Sequence, residues 1–198
     1  MRKVDRSEIK DLVAYEKARE AMRASVIAVK RHRRVSVGPN ITILFENRET
    51  VLFQIHEMVR TERIVDDARI QEEVDVYNAL VPDRGELSAT LFIEIPELVR
   101  MSQQQVRETV NRFQGLDRDT VFLVAGGTRV PARFESGPTK EEKMAAVHYV
   151  RFALPGAARA ALAAPDAPAR LVVEHPRYRA DAPLSPETRR ALQEDLSD

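Results

Sequence analysis

The chain has no cysteine, so disulfides, thiolate zinc sites, cysteine-held iron–sulfur clusters and cysteine nucleophiles are excluded for want of the atoms. It has no net charge either, because 31 Lys and Arg residues balance 31 Asp and Glu residues. That balance gives no global pull toward nucleic acid or an anionic membrane. No run approaches the ~18 uninterrupted apolar residues that a membrane-crossing helix needs. The opening Met1-Arg2-Lys3-Val4-Asp5-Arg6 lacks the apolar core of a secretory leader, and the cytoplasm is the expected address. Glycines are few, 7 in 198 residues. None begins a Gly-x-Gly-x-x-Gly or a P-loop, so no nucleotide cradle is expected.

What is present suffices for a real core: 43% of residues are hydrophobic, against 31% charged. Leu12, Tyr15, Ala18, Met22, Val26 and Val29 recur at steps of three and four. This predicts a long helix from about Ser7, its cap, to His32. A buried strand is expected over Ile41–Glu46, then a helix over Arg48–Arg63 capped by Asn47. A third helix follows, capped by Asp66 or Asp67 and ended by Pro82. Beyond Gly85 the period becomes strand-like. Strands are expected over Glu86–Ile95, Thr120–Val124, Thr128–Phe134, Ala145–Phe152 and Arg170–Glu174, with a helix over Pro96–Phe113. Gly126-Gly127 is a hairpin signal. The expected fold is α+β, with N-terminal helices packed on a mainly antiparallel sheet.

Six of the 11 prolines fall between Pro155 and Pro186, amid alanines. The expected organisation is therefore one domain over residues 1–154. A Pro/Ala-rich, surface-hugging extension over 155–198 would end in a short helix.

Several blocks carry a family likeness: Arg33-Arg34-Val35-Ser36-Val37-Gly38-Pro39, Leu44-Phe45-Glu46-Asn47-Arg48-Glu49-Thr50-Val51 and Phe53-Gln54-Ile55-His56-Glu57-Met58. Tyr77-Asn78-Ala79-Leu80-Val81-Pro82, Glu86-Leu87-Ser88-Ala89-Thr90-Leu91 and Tyr149-Val150-Arg151-Phe152 continue it. The chain resembles a bacterial domain-of-unknown-function family, number three-five-zero-one, over roughly Arg6 to Phe152. Members are often encoded beside rubrerythrin-like proteins and iron–sulfur oxidoreductases. The resemblance thus implies an accessory role in a redox or iron-linked pathway, by association alone. It brings no catalytic residue and no cofactor.

The residues themselves offer two clusters. Glu46-Asn47-Arg48-Glu49-Thr50 sets polar side chains at a strand-to-helix junction, where free N–H groups and caps can meet a ligand. With Glu57, Glu62 and Asn78 nearby, and Arg48 and Arg63 able to neutralise a carboxylate or phosphate, these form the candidate ligand-binding set. The competing reading is a capped helix start. The second cluster is a candidate metal set of His56, Glu57, Glu62 and Glu73. His56-Glu57 starts a zincin motif, but Arg60 stands where the second histidine belongs. Ion pairing at helical spacing, Glu57 with Arg60 and Arg69 with Glu73, is the alternative.

Charge is unevenly placed. Residues 1–34 hold eleven Lys or Arg against five acids, and residues 41–97 hold five Arg against thirteen acids. The run Lys30-Arg31-His32-Arg33-Arg34 could grip phosphates. It contains no aromatic residue to stack on a base, so pairing of the two halves within a protomer or across a dimer is the favoured reading. The leading expectation is a non-enzymatic binding or accessory protein, a homo-oligomer with a redox protein as partner. A carboxylate-based metal protein or enzyme is the alternative, and a nucleic-acid binder a weaker one.

Overall fold

The structure, a computed structural model, describes residues 1–95, 100–135 and 146–197. The fold is α+β. Asp5 accepts from the backbone N–H of Ser7 and caps a 3-10 turn, Arg6–Glu8. Helix α1 (Leu12–Arg31) starts later, where Asp11 accepts from the Ala14 N–H. Ser7 is therefore not the cap of α1, because a better-placed carboxylate precedes each of the two turns. Strands β1 (Arg34–Val37) and β2 (Ile41–Glu46) form a hairpin. Then come α2 (Arg48–Thr61), capped by Asn47, and α3 (Asp67–Asn78), capped by Asp66.

Strand β3 (Glu86–Ile93) pairs with β2, and after it α4 (Gln103–Asn111) starts at the Ser102 cap. Pro96, the expected start of that helix, and Ala145, the expected start of a strand, lie outside the described residues. The single strand expected over Thr128–Phe134 is two. β5 (Thr128–Pro131) pairs with β4 (Val121–Ala125), and β6 (Arg133–Glu135) pairs with β7 (Val147–Ala153). The chain changes sheets at Pro131-Ala132, where proline lacks the N–H that would extend a ladder. Between β4 and β5 the two glycines both adopt positive φ, 55° and 84°, as a tight two-residue hairpin requires.

The sequence from Pro155 onward is no extension. It supplies α5 (Gly156–Ala163), β8 (Ala169–His175), β9 (Tyr178–Pro183) and α6 (Pro186–Ser197). Leu162, Leu171 and Leu192 are fully buried. The prolines punctuate these elements: Pro155 stands immediately before α5, Pro183 ends β9 and Pro186 opens α6.

Among the described residues two sheets result, both antiparallel: β1-β2-β3-β7-β6 and β5-β4-β8-β9. They share one apolar core, to which Ile43, Phe45, Leu91 and Phe152 contribute from the first sheet and Leu123 and Leu171 from the second. The helices have a core of their own, including Val51, Ile55, Val59, Ile70, Val74 and Leu80. Because successive side chains alternate across a strand, the first sheet turns a second face away from the sheet–sheet core. That face, and what lies on it, sets the functional site.

Candidate functional site

On β2, Ile43 and Phe45 enter the sheet–sheet core, so Leu44 and Glu46 project from the opposite side. On β3, Ala89 and Leu91 enter that core and Thr90 and Phe92 do not. On β7 the outward pair is Val147 and Tyr149. These six residues share a cavity of about 500 Å³ with Val51, Gln54 and Met58 of α2, Tyr77 of α3 and Leu80 just beyond α3. Lys30, from the end of α1, and Ala146, just before β7, complete the lining. The cavity thus lies between the sheet and the helical core.

Glu46 is its most unusual feature. The residue is only 8% exposed. Thr90 Oγ1 donates to one carboxylate oxygen at 2.6 Å and Thr50 Oγ1 to the other at 2.5 Å. Register explains the first contact: Glu46 lies opposite Ser88, two residues from Thr90 on the same face. The two phenols lining the cavity are held neutral. Burial, reinforced by Tyr149 and Glu73, pushes Tyr77 up to about 12. Burial and then the Glu46 charge raise Tyr149. Gln54 hydrogen-bonds Tyr77.

The other sequence-selected residues have separate places. Asn47 accepts from the Thr50 N–H at 3.0 Å and Thr50 Oγ1 accepts from the Asn47 N–H at 3.0 Å, a reciprocal helix cap. Arg48 pairs with Glu8 and, by its hydrogen bond, holds that carboxyl below its ordinary value. Asn78 both donates to and accepts from the Val4 backbone at 2.8 Å, which fastens the N-terminal segment. Arg63 is exposed, with φ 52° at the end of α2.

Glu57 accepts from Arg19 Nε at 2.7 Å and Nη2 at 2.9 Å, and from the Tyr15 hydroxyl at 2.7 Å. These contacts, Arg19 first, hold its carboxyl at about 2 despite partial burial. The internal positive charge thus comes chiefly from α1. His56 is 2% exposed and stacks on Tyr15 with ring centroids 4.6 Å apart. Its Nε2 accepts from the Lys10 N–H at 3.1 Å and its Nδ1–H donates to the Leu52 carbonyl at 2.9 Å, so both ring nitrogens are used. Glu62 reaches Arg69 at 3.8 Å on the surface. Burial, then the Glu62 charge, raises Glu73. Among the described residues no group of three or more His, Asp or Glu is arranged to hold a metal ion.

The basic run is divided among different tasks. Lys30 lines the cavity, Arg33 pairs inside the protein with Asp195, and Arg34 pairs with Glu94 at 3.1 Å. Of the two candidate sets only Glu46 lines the cavity, and of the basic run only Lys30 does. Thr90, Tyr77, Tyr149 and Gln54 read in sequence as strand, core or helix residues. The available signal was Glu46 and Thr90 interrupting apolar strands on alternate positions.

A family model described as "Protein of unknown function (DUF3501)" matches residues 3–196. The crystal structure of a novel protein of unknown function from Burkholderia pseudomallei K96243 is 36% identical. Its similarity covers 98% of this chain and 100% of that one, with a TM-score of 0.87. No curated protein matches.

Proposed function

The chain belongs to the DUF3501 family, and we propose from that premise that it is a binding protein for a small, largely apolar molecule held between the first sheet and α2–α3. The observation that carries this reading is the 500 Å³ cavity itself. It has the size of a small-molecule site, and apolar walls surround a few polar groups, one of them a buried carboxylate. Two rival concavities fit less well. The trough over β8 and β9 is polar, and Arg170 there already faces Asp181 at 3.7 Å. The groove beside Leu12 and Val13 is shallow and open.

Accessory service to a redox or iron-linked pathway rests on the family resemblance alone, as does a redox-protein partner. A homo-oligomer rests on the uneven charge. Binding in the cavity requires none of these. Thermal unfolding with and without hexan-1-ol tests the reading. Val147 lines the cavity yet is 39% exposed, so Val147→Trp should fill the space without disturbing a core. The alcohol should raise the melting temperature of the wild type and not of the variant. Equal shifts in both, or none in the wild type, would refute it.

A further inference from the structure

Resting on that reading, we propose that the ligand carries a protonated nitrogen, an alkylammonium or amidinium group, which docks on Glu46 while its apolar body lies against Leu44, Met58 and Phe92. The geometry points to a cation because of how this protein treats its other shielded charges. Asp195 is met by Arg33, Glu57 by Arg19, and Arg151 by Glu86 at 3.0 Å. Glu46, itself buried, has hydroxyl donors only, and among the described residues no cation pairs with it. A carboxylate has roughly four lone-pair sites, and two hydroxyls leave room for further donors. A shielded carboxylate without a cationic partner is costly in low dielectric and is relieved by a cation that brings its own apolar surface.

The cavity suits such a guest in other ways. Tyr77 and Tyr149 present neutral phenol rings, whose faces attract cations. Lys30 lines the same cavity, but no ion pair joins it to Glu46. The hydroxyl groups of Thr50 and Thr90 hold the carboxylate in place before any guest arrives, which reduces the ordering that binding requires.

The test uses three probes of one chain length at pH 7: hexan-1-amine, hexan-1-ol and hexanoic acid, titrated calorimetrically into the full chain. The amine should bind about tenfold or more tighter than the alcohol, the factor expected of a charge-assisted hydrogen bond. In Glu46→Gln the amine should fall to the alcohol's affinity, while the alcohol still binds. Lys30→Gln should leave the amine's advantage in place, which keeps the test informative if Glu46→Gln fails to fold. Equal binding of amine and alcohol to the wild type would overturn the cation proposal and leave the binding reading standing. Preferential binding of hexanoic acid would overturn it in favour of Lys30 as the anchor. Binding of none of the three would remove the binding reading itself.

Discussion

Arg33 and Asp195 are 162 residues apart in sequence and form a two-point ion pair inside the protein, at 2.5 and 2.9 Å. Their side chains are 5% and 3% exposed. The contact joins the entry of β1 to the last turn of α6, so the C-terminal elements are fastened to the N-terminal sheet by charge as well as by packing. Such a pair contributes little net stability when intact, yet losing one partner strands a charge in low dielectric.

Asp195→Ala should therefore lower the free energy of unfolding by about 3–5 kcal/mol in urea titrations. A chain ended at residue 179 loses β9 pairing along with Leu184 and Leu192, and should not unfold cooperatively. A cooperative transition in the shortened chain would contradict the assignment of these residues to the core.

Gly38 has φ +71°, and a Cβ there would lie 2.5 Å from the Tyr178 hydroxyl. That hydroxyl donates to the Val37 carbonyl at 2.5 Å and accepts from the Asn40 N–H at 3.2 Å, bridging the two sheets. Gly38→Ala should destabilise by about 1–3 kcal/mol through backbone strain and displacement of Tyr178. Tyr178→Phe combined with it should relieve part of the loss. A neutral Gly38→Ala in denaturant unfolding would contradict this.

Asn47 was a candidate ligand residue, and its geometry is that of a helix cap. Asn47→Ala should cost about 1 kcal/mol in thermal unfolding and leave the affinity for hexan-1-ol unchanged. A loss of affinity at unaltered stability would return Asn47 to the site.

What was legible in the sequence was local. Asn47 and Asp66 announced their helices because capping depends on residues three apart, and Gly126-Gly127 announced its hairpin because two positive φ angles need glycine there. Proline density in the tail does not signal looseness. Pro168 and Pro176 instead flank β8, whose alternate residues Leu171 and Val173 pack between the sheets. The cavity was hidden for a different reason. Glu46 meets Thr90 only through strand register and meets Tyr149 only through β7, contacts that no spacing along the chain reveals. The ion pair of Glu57 was foreseeable as a type, since arginines are plentiful, but its main partner on α1 depends on how α1 lies along α2.

His56 provides a pH test. Burial is the main cause holding its imidazole below the ordinary value of 6.5, so the unfolded chain takes up the proton first. Its contribution to stability is complete above about 6.5 and is lost as pH falls through the lower folded value. Glu57 acts further down: its contribution is present above its ordinary 4.5 and fades toward about 2. Urea unfolding of wild type and His56→Gln from pH 8 to 5 should show a steeper decline in the wild type below 6.5. Parallel curves would contradict the neutral, doubly hydrogen-bonded imidazole.

The claim that the space between the first sheet and α2–α3 is a binding site is tested most directly by methyl NMR of the wild-type chain during titration with hexan-1-ol. The account predicts saturable shifts at Leu44, Met58, Leu80 and Val147, which line the cavity, and little change at Leu123 and Leu171 in the sheet–sheet core. Shifts that do not saturate, or that are as large at Leu123 and Leu171 as at the four lining residues, would contradict it.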